Sequence, residues 1–145
     1  MKIICISLIL CLLLLSCKAT YQVGRKNEMK TTYLRVFKMS YFYSVLREGF
    51  NNSEAFKSIF DNQFSGYGEN ILSVEDEKLL KNFAKEANLK LTRDSIERIG
   101  RVGEGAEGKH VIAYALEEYN SKWLDSLAKA RYKFFKKMYR HHDSN

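Results

Sequence analysis

The chain has 145 residues, with 24 lysine and arginine residues against 17 aspartate and glutamate residues and a formal net charge of +7. A chain of this length suits one domain with a modest hydrophobic core. It contains three cysteines, two of which lie in the apolar N-terminal run and would leave with a cleaved signal. A single remaining cysteine excludes an internal disulfide, so the domain must be stabilised by its core alone.

The first 16 residues have the pattern of an export signal. Lys2 is followed by a predominantly apolar run to Leu15, which is shorter than the roughly 20 residues of a membrane-spanning helix. The ending "LLSC" resembles the bacterial lipobox, in which the cysteine is lipid-modified and becomes the new N-terminus. The sequence predicts a lipoprotein signal peptide over residues 1–16 and acylation of Cys17. The alternatives are an ordinary secretory signal cut near Ala19 and an uncleaved anchor.

Residues 17–27, which follow the signal, carry little apolar periodicity and are predicted to form a tether. Residues 28–145 form the predicted domain. The chain contains no proline. The apolar residues of this domain recur at helical spacing, and no run that alternates between apolar and polar residues is bounded by turn dipeptides, as a strand would be. The sequence therefore predicts an all-α fold, a small helical bundle of about five to six helices after the signal peptide and tether.

The first two predicted helices lie on either side of Gly49. The first runs from Glu28 to about Glu48 and ends at the glycine. Its buried face is predicted from four residues at four-residue steps: Tyr33, Phe37, Tyr41 and Val45. Ser53 has the position of an N-cap, and a short helix is predicted after it. The wide apolar arc of the first helix indicates a central, mostly buried position.

The next predicted helix begins at a capping box. Ser73 and Asp76 have the required spacing, and the helix is expected to continue to Asn88. Its predicted core stripe consists of Leu79, Leu80, Phe83 and Ala87. Asp94 and Glu97 repeat the spacing of a cap and predict the start of a further helix.

The last helical segment is predicted to be interrupted at Asn120 and Ser121. The serine is expected to cap a new helix that begins at Lys122. The residues predicted to share one face of that helix are Leu124, Leu127, Arg131, Phe134 and Met138. Arg131 is expected to bury its aliphatic stem and keep its charge in water. Trp123, the one tryptophan, is predicted to be a core residue.

The stretch "RVGEGAEGKH" over residues 101–110 contains three glycines. It satisfies the pattern G-x-G-x-x-G, but the segment before it has the spacing of a helix, whereas a dinucleotide site needs a strand there. Glu104 and Glu107 would also repel a phosphate group, so the residues argue against a nucleotide site. Two interpretations remain open from the residues: a turn that joins two helices through positive φ angles, or a projecting loop that binds a partner.

No residue pattern indicates an enzyme, a cofactor site or a metal site. His141 and His142 lack the spaced cysteine, histidine or carboxylate partners of a zinc site, and no nucleophile–histidine–acid pattern is present. The C-terminal helix is basic. In an exported protein this favours phospholipid headgroups, an anionic cell-wall polymer or an acidic protein as its partner, and not a nucleic acid. The alternative is that the cations only stabilise the C-terminal end of the helix.

The segment "EEYNSKWLDSLAKA", Glu117–Ala130, resembles the immunity proteins of type VI secretion amidase effectors. Those proteins are small, exported and all-helical, with a glycine-rich loop before a terminal helix pair that is interrupted at a similar serine-containing step. The aromatic-rich "SYFYSVL", Ser40–Leu46, is similar in position to the first helix of that family.

The resemblance implies a homodimeric inhibitor that blocks a peptidoglycan amidase in the periplasm by inserting this loop into the active-site cleft. By position, the partner-binding residues would be Gly103, Glu104, Gly105, Ala106, Glu107 and Gly108. We therefore expect a bacterial periplasmic protein, held on an envelope membrane through Cys17. The alternative function is a structural envelope lipoprotein that contacts an anionic cell-wall or lipid surface through its basic C-terminal helix.

Overall fold

The computed structural model describes residues 27–58, 71–97 and 108–142, and for residues 139–142 it describes the backbone alone. The chain divides into two compact units, Met1–Thr32 and Tyr33–Asn145. Within the first unit the described residues are 27–32, which are helical. The predicted signal peptide, Cys17, nearly all of the tether, and Gly103–Glu107 lie outside the described residues.

The described parts of the chain contain five helices and no strand. Their bounds are 27–49 for α1, 54–58 for α2, Val74–Ile96 for α3, Val111–Tyr119 for α4 and Lys122–His142 for α5. The predicted all-α bundle is confirmed.

The first helix, α1, presents the predicted stripe to the core. All four of its predicted core residues are buried: Tyr33, Phe37, Tyr41 and Val45. After α1 the chain turns through Asn51 and Asn52 at φ 54° and 51°, a region that asparagine tolerates better than most residues. Ser53 Oγ then accepts a hydrogen bond from the Phe56 amide at 3.3 Å, which confirms the predicted cap of α2.

The third helix begins at the predicted capping box but is longer than predicted. The Asp76 amide donates to Ser73 Oγ at 3.1 Å, and the Ser73 amide donates to the Asp76 carboxylate. The prediction that Asp94 caps a new helix is wrong, because α3 continues through it to Ile96. The buried stripe extends past the predicted end to Leu91, with no helix breaker on the way. The buried side chains of α3 are Asp76, Leu80, Ala84, Ala87 and Leu91.

The interruption between α4 and α5 lies where the sequence predicts it. Ser121 Oγ accepts a hydrogen bond from the Leu124 amide at 3.1 Å, so it caps α5. The buried face of α5 differs from the predicted one. Leu124 is buried as expected, but Phe134 and Met138 are exposed. The core is completed instead by Ala128 and Phe135.

The contacts of Arg131 explain why α5 buries this face and not the predicted one. Its Nε donates to Asp76 Oδ1 at 2.5 Å, while the Tyr33 hydroxyl donates to Asp76 Oδ2 at 2.8 Å. The expected solvation of the Arg131 charge is therefore wrong, because the guanidinium pairs with a buried carboxylate. This cluster joins α1, α3 and α5 and fixes how α5 faces the core. Burial is the largest cause that raises the pKa of Tyr33, followed by its hydrogen bond to Asp76.

Candidate functional site

The glycine-rich stretch enters the described structure at its last residue, Gly108. This glycine is exposed and has φ +116°, a conformation that residues with a Cβ rarely adopt. A Cβ built there would meet nothing within 4 Å, so glycine is required by the backbone angle and not by lack of space. At this position the geometry agrees with a turn through positive φ. Gly103–Glu107 and Cys17 lie outside the described residues, and their predicted roles stay predictions.

The chain after Gly108 is held against two other helices. Lys109 Nζ donates to Asn88 Oδ1 of α3 at 3.2 Å. Val111, the first residue of α4, is buried against Gly49 at the end of α1. A Cβ at Gly49 would lie 2.8 Å from Val111 Cγ2, closer than side chains normally approach. The close approach of α1 and α4 therefore fixes the C-terminal flank of the glycine-rich stretch.

An apolar groove of about 720 Å³ opens beside this flank. Its lining residues are Gly49, Phe50, Lys109, His110, Val111, Ile112, Ala113 and Leu116. Ile112 is 55% exposed and Leu116 is 50% exposed, one helical turn apart on the outer face of α4. Large aliphatic side chains that share an exposed face at a concave surface are typical of a protein-binding site.

The charge of the groove comes from its rim near the glycine-rich stretch. Lys109 lies there, and the lining residues that the structure describes include no carboxylate. His110 has φ 48° and precedes α4 as its N-cap residue. The groove is thus apolar at its floor and cationic at one end, which suits an apolar surface with a nearby acidic group.

Sequence analysis did not single out Phe50, Ile112 or Leu116. The sequence holds one signal for Ile112 and Leu116. The helix α4 has apolar residues on both sides, with Val111 and Ala115 in the core and Ile112 and Leu116 outside. The first six residues of α4, Val111–Leu116, are all apolar or aromatic, and such a run indicates burial on more than one side. Which side of α4 is covered by the rest of the domain depends on α1 and α3, so it cannot be predicted from the sequence of α4 alone.

The basic helix α5 presents a second surface of functional interest. Its exposed cations include Lys129, Lys133, Lys136 and Lys137. Phe134 and Met138 are exposed on the same helix. Arg131 is not part of this free basic surface, because it pairs with Asp76.

The described residues hold no group of three or more histidine, cysteine or acidic side chains that could bind a metal ion. Within that same part of the chain, every helix is too short or too polar to cross a membrane. Comparison with protein-family models, with curated proteins and with solved structures found no match to this chain.

Proposed function

We propose that this protein is a membrane-anchored periplasmic immunity protein that binds and blocks a peptidoglycan-degrading amidase. The observation that carries the proposal is the exposed apolar groove of Phe50, Ile112 and Leu116 at the flank of the glycine-rich stretch. A partner seated in this groove would meet the glycine-rich stretch as well, because only Lys109 to Val111 separate Gly108 from Ile112. In this proposal the groove and the glycine-rich stretch belong to one contact surface.

In the proposal, the groove and the glycine-rich stretch contribute differently to inhibition because their residues differ chemically. A few side chains buried near the centre of an interface carry most of its binding free energy, and in this proposal Ile112 and Leu116 are buried there. Gly103, Gly105 and Ala106 have little or no side chain, so the backbone at these residues could enter a narrow enzyme cleft. An amidase with a thiolate nucleophile and a histidine would offer a protonated histidine to Glu104 or Glu107. In this proposal the groove binds the enzyme and the loop blocks it.

The lipid anchor has a separate role in the proposal. An acylated Cys17 would hold the inhibitor at the envelope membrane, where a secreted amidase reaches the cell wall. One acyl chain gives marginal binding to a membrane, whereas two or more give stable anchoring. The proposal extends to a homodimer, as the family likeness implies, and it assigns no catalytic residue and no cofactor.

A second candidate function is favoured by the surface of α5. A structural envelope lipoprotein would use the exposed lysines with Phe134 and Met138 to contact an anionic polymer or lipid surface. Binding of that kind weakens as salt screens the charges, whereas a packed protein interface largely persists. Because the lipid anchor is common to both functions, the test uses a Cys17→Ser chain, and its retention on cell envelopes over a range of ionic strength separates the two functions.

Site-specific photo-crosslinking tests the first proposal. A photoreactive amino acid is placed at position 112 of the full chain, and at position 89 in a matched control. Leu89 is suitable because it is 71% exposed on α3 and does not line the groove. We expect position 112, and not position 89, to crosslink to a protein that hydrolyses peptidoglycan amide bonds. Equal crosslinking from both positions, or a crosslinked partner without this activity, would contradict the proposal.

A further inference from the structure

A second concave surface lies where α1, α3, α4 and α5 meet. It has a volume of about 340 Å³, within the range of about 300–1,000 Å³ that is common for small-ligand pockets. Its lining residues are Tyr41, Phe83, Glu86, Ala87, Lys90, Tyr114, Glu118 and Trp123. We call it the aromatic cleft. It shares no lining residue with the apolar groove beside Gly108.

The aromatic cleft is built on Trp123, which departs from its predicted core position. The residue remains 43% exposed. Its ring centroid lies 5.6 Å from that of Tyr41 and 5.4 Å from that of Phe83, at interplanar angles of 66° and 87°. Neither neighbour stacks flat on the indole, so the ring is held in place while part of its surface faces the cleft. An exposed and immobilised indole is the best side chain for attracting a cation to an aromatic face.

Two carboxylates, Glu86 and Glu118, accompany these rings at the cleft. Their negative charges affect the pKa of the tyrosine hydroxyls of the cleft. Burial is the largest cause that raises the pKa of Tyr41, and the charges of Glu118 and Glu86 add to it. Burial also raises the pKa of Tyr114, with Glu118 as the next cause. The cleft therefore combines aromatic surface with negative charge, which suits a positively charged organic group.

One side chain of the protein already places an alkylammonium group near an aromatic ring of the cleft. Lys90 Nζ lies 5.7 Å from the centroid of the Tyr114 ring, so an alkylammonium group already sits at one side of the cleft. Lys90 offsets one of the two carboxylate charges. One negative charge and the exposed surface of Trp123 remain for a second cation.

We propose that the aromatic cleft binds an alkylammonium group of another molecule, with Trp123 as the aromatic platform and Glu86 and Glu118 as counter-charges. The group can belong to a free organic cation or to a lysine side chain of a bound protein, and the chemistry of recognition is the same. Lys90 is an internal competitor for the same negative charge. This inference goes beyond the proposed amidase inhibition and does not depend on it.

The fluorescence of Trp123 provides the test, because it is the one tryptophan of the chain. The full chain, in a detergent with an uncharged sugar headgroup, is titrated with tetramethylammonium chloride and separately with n-butylammonium chloride. Sodium chloride is exchanged out to keep the ionic strength constant, and tert-butanol and n-butanol serve as uncharged analogues. We expect a saturable change in emission with at least one cation and only a weak, non-saturating change with the alcohols. Saturation with tetramethylammonium alone identifies a quaternary cation, and saturation with butylammonium identifies a primary amine such as that of lysine.

Charge variants make the assignment specific to the cleft. Glu86→Gln and Glu118→Gln should each raise the apparent Kd by about threefold to tenfold, and Lys90→Met should lower it. Glu75→Gln is the matched control, because Glu75 is an exposed carboxylate of α3 that does not line the cleft. The proposal is overturned if neither cation gives a saturable change, if the alcohols act like the cations, or if the cleft variants bind like the Glu75→Gln control.

Discussion

Arg131 Nε and Asp76 Oδ1 lie 2.5 Å apart and pair α5 with the first turn of α3. The Asp76 side chain is 3% exposed, so its carboxylate depends on protein partners for the hydrogen bonds that water would otherwise supply. Tyr33 of α1 supplies one partner and Arg131 supplies another. A single carboxylate thus caps α3 and also connects three helices.

Removal of Arg131 should therefore be costly. Arg131→Met leaves Asp76 buried without its cationic partner, and we expect a loss of about 3 kcal/mol in the free energy of unfolding. Arg93→Met is the matched control, because Arg93 pairs with Asp94 at 3.7 Å on an exposed surface. The control should lose less than about 1 kcal/mol. Urea unfolding followed by circular dichroism measures both, and equal losses would mean that the Asp76 pair adds nothing beyond a surface ion pair.

Alkaline pH should destabilise the domain through its buried tyrosines. The folded pKa of Tyr41 is raised above its ordinary value of 10.0, chiefly by burial. Below pH 10 this phenol is neutral in both states and its contribution to stability is complete. As the pH rises beyond about 10, the unfolded chain ionises first, so stability falls by up to about 1.4 kcal/mol per pH unit for each such group. Tyr41→Phe should show a shallower decline than the unmodified chain between about pH 9 and 11. Identical slopes would contradict the assignment.

The contact between Gly49 and Val111 predicts a specific intolerance. Gly49→Ala places a methyl group in steric overlap with Val111 Cγ1 and 2.8 Å from Val111 Cγ2, and the resulting overpacking should cost about 1–3 kcal/mol. The cost should shrink in a Val111→Ala background, because the clashing methyl groups are then absent. A double-mutant cycle by thermal unfolding measures this coupling. Additive effects of the two substitutions would show that the two helices separate to accommodate the methyl group.

The junction between α4 and α5 should depend on the Ser121 hydroxyl. Ser121→Ala removes the acceptor for the Leu124 amide and should cost about 1 kcal/mol, while Ser121→Asp should retain most of the stability. Ser126→Ala is a suitable control, because that hydroxyl donates to a carbonyl within an exposed stretch of the same helix. Loss of stability in Ser126→Ala but not in Ser121→Ala would contradict the assignment of Ser121 as the cap of α5.

Three helix starts could be predicted from the sequence because their caps are local. The caps at Ser53, Ser73 and Ser121 each join a hydroxyl to an amide three residues later. The buried stripe of α1 was also predictable, because four large apolar residues at one spacing leave a single choice of face. For both features, the residues that decide the structure lie within a few positions of one another.

The buried face of α5 could not be predicted in this way. Leu124, Phe134 and Met138 share a helical spacing, but so do Leu124, Ala128 and Phe135. The choice between them is made by Asp76, which lies 55 residues from Arg131 in the chain. The same limit applies to the candidate sites. The exposure of Ile112 depends on how α4 packs on Gly49, and the exposure of Trp123 depends on rings from α1 and α3.

Inhibition of the amidase by the purified chain tests the central claim most directly. The partner crosslinked from position 112 is produced alone, and its release of cleaved peptidoglycan is measured with increasing amounts of the full chain. We expect inhibition that is complete near equimolar amounts, is lost with Gly105→Trp, is strongly weakened with Ile112→Asp and is kept with Leu89→Asp. Peptidoglycan hydrolysis that continues unchanged with the full chain present, or equal inhibition by all three variants, would contradict the account.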